Sequence, residues 1–474
     1  MAGLRATLLA VLAVAVLAGC GGHKSAPPAV EHFHSRPDLT PPVVSVAVAK
    51  PAAAPGYLFI APKQTAPQKG PEIFDETGQP VWFDPVPEQA TDFRVQTYRG
   101  KPVLTFWEGP PTAPVLGTGV GHYVILDTSY RQVATVQAGF GAETADLHEF
   151  QLTPRGTALI TAYRIVSAGG KRVADSVVQE VDVASGRVLF TWHSLGHVAL
   201  AESYATAPTD GTPYDYFHVN SVDEEPDGNL LVSARNTHAV YEIDRSTGAV
   251  LWRLGGKRSS FKMGKGTTFA WQHDARRQAD GTITLFDDGA SPAVEKESRA
   301  IRIRLDAKAR TATLVSAYSA GSLAGSQGNV QVLGNGDTLV GFGAVPRVTE
   351  FSPAGQIVFD ATFSKGDDSY RAYRFVWHAT PTTRPAIAVA AGKGGTATVY
   401  ASWNGATEVA RWRVLGGLVA DKLDPVGPAM MKSRFETTMQ VATDDPYLAV
   451  EALDAQGRVI GRSAAVVRGG TAIG

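Results

Sequence analysis

Three of the 11 histidines in the sequence occupy similar places in consecutive stretches of the chain. His148, His218 and His273 each stand eight to ten residues before a turn that contains glycine. If these stretches fold alike, the three imidazoles meet at one place, where they could bind zinc or act on a substrate as nucleophile and acid–base groups. A lone histidine is more often a packed structural residue, but the shared register favours a common site.

Arg235 helps to choose between these ligands. It follows a predicted strand at residues 230–233, in the same stretch as His218. Three neutral histidines alone would suit zinc. A metal cation does not favour a neighbouring guanidinium, whereas an oxyanion is bound by its fixed fork of N–H groups. The set therefore predicts an oxyanion substrate and no metal. The alternative is that Arg235 lies on the surface at the end of its strand.

The elements that must position these residues are short strands in a repeated unit. One half of the unit is a glycine turn followed by an alternating strand. The other half ends in an apolar strand that often carries an aromatic residue. Asp-Gly and Asn-Gly turns are strong hairpin signals because both residues tolerate positive φ. Copies of the two halves begin near residues 76, 153, 184, 225, 246, 278, 333 and 353.

Each unit holds about four strands, and one sheet of this size cannot bury both of its faces. Radial stacking of the sheets gives a β-propeller, and the number of units between residue 56 and about residue 377 favours six blades over seven. After about residue 380 the turns differ, and short alternating strands predict a small immunoglobulin-like β-sandwich. The predicted fold class is all-β, with a six-bladed β-propeller at residues 55–379 and the sandwich at residues 380–474.

The beginning of the sequence is typical of an export signal. Arg5 precedes an apolar run too short to span a bilayer, and Leu17-Ala18-Gly19-Cys20 is typical of a lipobox. Cys20 is the only cysteine. We therefore expect a signal peptide at 1–19, lipidation of Cys20, a tether at 20–54 and attachment to the extracytoplasmic face of the cell membrane. The alternative is an ordinary secretory signal with an incidental cysteine.

The composition and the remaining motifs exclude several classes of function. The net charge is −1, with no clustered basic face that would bind nucleic acid. The glycine-rich segments near residues 117, 255 and 392 lack the spacing of a phosphate loop, so no nucleotide and no other cofactor is predicted. Cys20 lacks the motif of a hydrolytic sulfatase. Asp287-Asp288 could bind calcium, but a solvated turn is the preferred interpretation.

The motifs around the histidines resemble those of the arylsulfate sulfotransferases. His218-Val219-Asn220-Ser221, Ser233-Ala234-Arg235 and Gln272-His273 match in order and approximate spacing, with His148-Glu149 upstream. The resemblance covers about residues 56–377 and is most specific over residues 215–288. Members of this family are six-bladed propellers that transfer sulfuryl groups between phenols without a nucleotide donor.

The resemblance implies an aryl sulfate donor, a phenolic acceptor and a role for each site residue. His273 corresponds to the histidine that becomes sulfated, and His148, His218 and Arg235 correspond to the groups around the sulfuryl. Neutral imidazole is a competent nucleophile, and Arg235 would stabilise the developing charge. Three further residues near the imidazoles are candidates for substrate binding: Asn220, Trp271 and Tyr216.

The sequence departs from the Gram-negative enzymes of this family in two ways. Those enzymes carry a disulfide, which a chain with one cysteine cannot form, and their extra β-domain precedes the propeller. This chain is closer to a lipoprotein branch of the family. The rival hypothesis is a non-catalytic propeller that binds a ligand or partner at the cell surface. The two differ in whether His148, His218, His273 and Arg235 line one pocket. The oligomeric state is not predicted.

Overall fold

The computed structural model describes residues 29–111, 117–139 and 145–474. Within these ranges the protein is all-β, as predicted, with 36 strands in eight sheets. The helical segments described are the 3₁₀ turns Leu200–Glu202 and Arg235–Thr237. No helix in the described ranges is long and apolar enough to cross a membrane. The predicted signal peptide and Cys20 lie outside the described residues.

Six of the sheets, numbered here 1 to 6, follow one another along the chain, and each contains a four-stranded antiparallel meander. Sheet 1 contains Tyr57–Ile60, Glu72–Phe74, Pro80–Phe83 and Tyr373–Phe375. Sheet 2 contains Gln89–Tyr98, Lys101–Gly109, His122–Leu126 and Gln132–Val136. Sheet 3 contains Ala145–Leu152, Thr157–Ala168, Lys171–Asp182 and Val188–His193. Sheet 4 contains Val219–Glu224, Leu230–Ala234, Ala239–Ile243 and Val250–Gly255. Sheet 5 contains His273–Arg277, Ile283–Asp287, Arg299–Asp306 and Thr311–Tyr318. Sheet 6 contains Asn329–Val332, Thr338–Gly341, Arg347–Phe351 and Ile357–Thr362. The short strand Lys262–Met263 adds to sheet 5 in parallel.

The six sheets form a closed ring. The first strands of sheets 2 to 6 contact one another in chain order. Tyr373–Phe375 pairs with Tyr57–Ile60 to complete sheet 1, and it also contacts Gln89–Tyr98 and Thr338–Gly341. The two ends of the ring are therefore joined within one sheet. This is a β-propeller-like arrangement, in which the first strands surround the centre.

Apolar side chains fill the spaces between neighbouring sheets. Leu159 and Val178 of sheet 3 pack with Val232 and Tyr241 of sheet 4 in one buried cluster. Similar clusters join sheets 4 and 5, and sheets 5 and 6. Each sheet therefore buries both faces against its neighbours, which accounts for the apolar character of strands on both faces.

Two further sheets share a core after the ring. Their strands are Ala386–Ala391, Thr396–Ser402, Thr437–Ala442 and Thr471–Ala472; and Arg411–Val419, Lys422–Pro425, Met430–Met431, Tyr447–Leu453, Val459–Arg462 and Val466–Val467. Val399 of the first sheet and Trp412 and Val450 of the second lie in the same buried cluster. The alternating burial of Thr437–Ala442 is that of a strand with one face on the core and one in solvent.

The described part of the segment predicted as a tether is packed on the fold. Ser45–Ala49 is an edge strand of sheet 6, paired with Ile357–Thr362. Nearer the amino terminus, the ring of Phe33 lies 4.3 Å from that of Phe435. This packing follows because the edge of sheet 6 has unpaired backbone groups, and because Phe33 is apolar. Residues 33–49 thus connect the C-terminal sheets to the ring.

Candidate active site

The three predicted histidines lie at the beginning of, or within, the first strands of sheets 3, 4 and 5. His148 lies in Ala145–Leu152, His218 immediately precedes Val219–Glu224, and His273 begins His273–Arg277. The register is shifted in all three strands where they pair with the next strand. Such bulges redirect side chains at the end of a strand. The equivalent positions in the repeat therefore bring the three imidazoles to one side of the ring.

One cavity of about 960 Å³ is lined by all four predicted catalytic residues, His148, His218, His273 and Arg235. The ring centroids of His148 and His218 lie 4.9 Å apart. The ring of Tyr370 lies 5.6 Å from that of His148 and 6.4 Å from that of His273. The convergence that the sequence register predicted is therefore present in the structure.

Each of the three imidazoles is hydrogen-bonded through Nδ1 to a carboxylate. The pairs are His148 with Asp146 Oδ2 at 2.5 Å, His273 with Asp288 Oδ2 at 2.8 Å, and His218 with Asp215 Oδ2. Asp288 is fully buried, so the interpretation of Asp287-Asp288 as a solvated turn is wrong. Both carboxylates are used inside the protein, because Asp287 pairs with Arg299.

A backbone N–H group identifies the tautomer of His273. The N–H of Gln327 lies 3.3 Å from His273 Nε2 and can only donate. Nε2 therefore carries the lone pair, and the ring proton on Nδ1 faces Asp288. Burial, with the nearby charge of Arg235, lowers the pKa of His273 well below its ordinary value. The neutral ring with its lone pair on Nε2 is the form that acts as a nucleophile.

Arg235 is held without a carboxylate partner among the described residues. Its Nη1 donates to Asn236 Oδ1 at 3.0 Å and its Nη2 donates to the Gly325 carbonyl at 3.2 Å. The guanidinium also lies 4.8 Å above the ring of Trp271. Neutral acceptors and an aromatic face fix the group, and the nearest carboxylates, Asp288 and Asp215, act on its charge without forming an ion pair with it. The charge is therefore available to an anion in the cavity.

A buried network of charges lies beside the site. Arg371, which has no exposed side-chain surface, pairs with Asp92 at 2.8 Å and with Glu149 at 3.2 Å. Glu149 also accepts from Arg94 and Arg276, each at 2.5 Å. Burial would raise the pKa of Glu149, but these three guanidinium groups lower it well below its ordinary range. The network ties sheets 1, 2, 3 and 5 together at the centre of the ring.

Two of the three residues predicted to bind substrate do not line the cavity. Asn220 is fully buried, and its amide donates to the Gln272 carbonyl at 2.7 Å. Tyr216 packs in the core between sheets 3 and 4, with its ring 6.0 Å from that of Phe217. Neighbours of a site residue in sequence point in other directions, which explains both errors. Trp271 does line the cavity, but its ring also supports Arg235.

Sequence reasoning missed several residues that complete the cavity. Lys63 lines it from the loop after Tyr57–Ile60, where its Nζ donates to Gln327 Oε1 at 2.8 Å and pairs with Asp368. Tyr204 lines it from the segment between sheets 3 and 4. Asp146 and Asp215 could have been predicted from the sequence as partners of the imidazoles, since each lies two or three residues from its histidine. No pattern points to Lys63 or Gln327, because the fold alone brings them together.

The described residues contain no group of His, Cys, Asp and Glu side chains arranged to hold a metal ion. The cavity has the features of an anion site: a guanidinium with no ion-pair partner among the described residues, and imidazoles that are oriented by carboxylates inside a ring of sheets. A comparison with known families agrees with this class of site. Residues 94–364 match the arylsulfotransferase (ASST) family, and the chain belongs to that family.

Comparison with solved structures gives remote similarities. The chain is similar to a protein of unknown function from Bacteroides caccae, with 13% identity and a TM-score of 0.41, over 67% of this chain and 98% of that chain. It is also similar to a catalytically inactive virginiamycin B lyase from Staphylococcus aureus, with 7% identity and a TM-score of 0.35, over 76% of this chain and 96% of that chain. No curated protein matches the sequence.

Proposed function

We propose that the protein transfers a sulfuryl group from an aryl sulfate to a phenol, with His273 as the nucleophile. The observation that carries this proposal is the convergence of His148, His218, His273 and Arg235 on one cavity. Membership of the arylsulfotransferase family supports the same reaction. The rival hypothesis of a non-catalytic binding propeller does not account for an imidazole whose tautomer is fixed beside a guanidinium that has no ion-pair partner among the described residues.

The transfer has two steps. Nε2 of His273 attacks the sulfur of the donor, the bond between sulfur and the phenolic oxygen breaks, and the aryl oxide leaves with its electron pair and takes a proton from His148 or His218. The N–S bond of the resulting sulfohistidine then breaks when the oxygen of the acceptor phenol attacks the sulfur. The acceptor gives up its proton in that step, and His148 or His218 receives it. The fork of Arg235 stabilises the negative charge on the sulfuryl oxygens in both steps.

We also propose a finer architecture and location. The six sheets of the ring act as six blades, because the pairing of Tyr57–Ile60 with Tyr373–Phe375 leaves no gap for a seventh. The two C-terminal sheets form an immunoglobulin-like sandwich. Cys20 carries the lipid that attaches the protein to the extracytoplasmic face of the cell membrane, as the lipobox predicts.

The test is turnover of a chromogenic aryl sulfate with a phenol as acceptor. His273→Ala should lose all transfer, because the nucleophile takes part in both steps. The control is His378→Ala, since His378 is 76% exposed and pairs only with Glu408. Full transfer by a folded His273→Ala protein would overturn the proposed nucleophile. Binding of aryl sulfates without turnover by the wild type would favour the binding propeller instead.

A further inference from the structure

The carboxylates behind the three imidazoles determine which ring nitrogen can act in the cavity. Asp146, Asp215 and Asp288 each accept a hydrogen bond from Nδ1, so this nitrogen carries a proton in every pair. Nε2 is the nitrogen left for a ligand in each case. In a neutral ring with this tautomer, Nε2 is an acceptor, and it becomes a donor only when the ring is an imidazolium.

This restriction has opposite consequences for the nucleophile and for its neighbours. His273 needs a lone pair on Nε2, and the N–H of Gln327 is directed at that lone pair. His148 and His218, in contrast, can donate a hydrogen bond to a sulfuryl oxygen only after they gain a proton. A neutral ring with its lone pair facing an anion would repel it.

We infer that Asp146 and Asp215 are positioning residues, and that binding of the sulfuryl donor is accompanied by uptake of a proton at the His148–His218 pair. The inference rests on the proposed function, because it assumes that the anionic group of the donor occupies this cavity. It assigns a role to Asp146 and Asp215, and it adds a proton that the protein takes up together with the substrate.

The charges around the pair explain why the proton arrives with the ligand. His218 faces Asp215 on one side, the ring of Tyr163 at 6.3 Å and, within the cavity, His148 and Arg235. Burial, with the charge of Arg235, lowers the pKa of His218 despite Asp215. Two imidazolium rings with centroids 4.9 Å apart would also repel each other. A bound anion adds negative charge to the cavity, and this charge favours an imidazolium at the pair over two neutral rings.

The other side of the pair is compensated within the protein. His148 faces Asp146 and the ring of Tyr370, and Arg371 lies behind that ring at 5.0 Å. Arg371 is neutralised by the buried acids of the central network. Lys63, which lines the same cavity, is paired with Asp368. Arg235 and the added proton are therefore the positive charges that meet the anion.

Proton uptake makes the affinity for the anion fall as the pH rises. A ligand that raises the pKa of a group binds with full affinity below the pKa of the free protein and loses affinity as the pH rises towards the pKa of the complex. Between these two values, uptake of one proton makes the dissociation constant rise about tenfold for each pH unit. Benzenesulfonate is a suitable probe because its C–S bond does not break, so the sulfonate group stays on the ring and binding can be measured without turnover.

The experiment is calorimetric titration of the wild type with benzenesulfonate in two buffers of different ionisation enthalpy. At a pH of about 8, above the ordinary pKa of histidine, we expect uptake of about one proton per site. Asp146→Asn and Asp215→Asn should each lower this number, and the double variant should abolish it. An asparagine amide can donate to Nδ1, so the neutral ring can then carry its proton on Nε2 and donate without a change in charge.

A matched control is available in Asp175→Asn. Asp175 forms the same kind of pair with His193 Nδ1 at 2.8 Å, but neither residue lines this cavity. This variant should take up as many protons as the wild type. If the aspartate variants prove unstable in thermal melts, His148→Gln combined with His218→Gln tests the same point. The glutamine amides of this double variant donate hydrogen bonds without being protonated, so benzenesulfonate should bind without proton uptake.

Binding by the wild type without proton uptake would overturn the inference, and so would full uptake by the double aspartate variant. Failure of the probe to bind would overturn it as well, because the anion site would then be absent. These outcomes are distinct from failure of the proposed function. If His273→Ala still transferred sulfuryl groups, the nucleophile would be wrong while the proton count at His148 and His218 stood.

Discussion

Arg235 differs from the other arginines at the centre of the ring, because none of the described residues forms an ion pair with it. Asn236 and the Gly325 carbonyl orient the guanidinium, and Trp271 covers one of its faces. By contrast, Arg371 is paired on several sides with buried carboxylates. Positive charge that is fixed before the reaction begins costs no reorganisation when negative charge develops on a sulfuryl group.

Arg235→Ala should therefore leave a slow enzyme with an intact fold. Loss of one preorganised donor to a developing oxyanion typically costs roughly 10²–10³ in rate, about 3–4 kcal/mol. Arg235→Lys should recover part of the activity, because it restores the charge but not the fork. Steady-state kinetics of both variants give kcat and kcat/KM. The control is Arg131→Ala, whose guanidinium is 67% exposed and pairs with Asp127. An unchanged kcat/KM in Arg235→Ala would exclude the residue from the reaction.

The leaving group should reveal which imidazole supplies its proton. His148→Gln and His218→Gln keep a donor amide but have no proton to transfer. For the variant that lacks the general acid, kcat should fall strongly with donors whose phenols are weak acids and much less with donors whose phenols are strong acids. An acidic phenol leaves without a proton. A series of aryl sulfates of graded leaving-group pKa measures this slope. Equal slopes in the wild type and in both variants would contradict general acid catalysis by either residue.

Residues close in sequence to the histidines were the predictable part of the site. The register of His148, His218 and His273 before their turns was visible because a repeat places equivalent residues at equivalent points of each sheet. Asp288 and Gln327 were not visible. Asp288 directly follows Ile283–Asp287 of sheet 5, and Gln327 precedes Asn329–Val332 of sheet 6. The fold brings them to His273 by one side-chain and one backbone contact. Tyr216 was wrongly selected because nearness in sequence does not fix the direction of a side chain.

At the scale of strands and sheets, the central charges connect neighbouring sheets and also sheets that are not neighbours in the ring. Glu149 on the first strand of sheet 3 reaches Arg94 on sheet 2, Arg276 on sheet 5 and Arg371 beside sheet 1. The apolar clusters, in contrast, join sheets that are neighbours in the ring. The network therefore fixes the distances across the centre, where hydrophobic contacts do not reach.

Glu149→Gln should destabilise the fold more than its small change in volume suggests. Removing one partner from a buried ion network leaves uncompensated charge and typically costs about 3–5 kcal/mol. Denaturant unfolding measures the change. The control is Glu451→Gln, because the ion pair of Glu451 with Arg413 is partly exposed and worth roughly 0–1 kcal/mol. Equal stability of the two variants would mean that the central network contributes little.

The same substitution should change how stability depends on pH. The folded pKa of Glu149 is depressed, so its contribution is present above the pKa of the unfolded chain, about 4.3, and is lost as the pH falls below that value. Wild-type protein should therefore lose more unfolding free energy between neutral and acidic pH than Glu149→Gln. Unfolding at a series of pH values checks this difference. A variant with the same acid dependence as the wild type would exclude Glu149 as a source of it.

Strand patterns were predictable from sequence at this scale, but the edges of sheets were not. Asp-Gly and Asn-Gly turns marked the second strands of several sheets correctly, since hairpin turns are local. Ser45–Ala49 was assigned to a tether because its neighbourhood is rich in Pro and Ala. Its strand conformation comes from the free edge of sheet 6, which no local pattern could reveal.

For the whole molecule, the ring should be separable from the C-terminal sheets. The interface includes a pair of hydrogen bonds between Asn404 and Phe83 and the contact of Phe435 with Phe83. A chain that ends at residue 379 should fold and keep the cavity, with lower stability. A chain that ends at residue 371 should not fold, because it lacks the strand that completes sheet 1. Circular dichroism and binding of benzenesulfonate compare the two truncations. A folded shorter chain would contradict the closed ring.

The proposed membrane attachment is tested on the whole molecule as well. Mature protein should begin at Cys20 and partition into detergent, and Cys20→Ser should release it or leave the precursor uncleaved. Phase separation in detergent, followed by mass spectrometry of the amino terminus, measures both. Unchanged partitioning of the variant would contradict the lipobox.

The closing strand also decides when a newly made chain can acquire its site. Tyr373–Phe375 follows closely after Tyr370, whose ring contacts that of His148, and Arg371, which pairs with Glu149. Sheets 2 to 6 can emerge and pair one after another during synthesis or export, but the ring and its charged centre need the same short segment. An incomplete chain therefore lacks one of the three cations of Glu149 and presents an open edge on Tyr57–Ile60. We expect proteases to degrade such a chain before its central cavity can form.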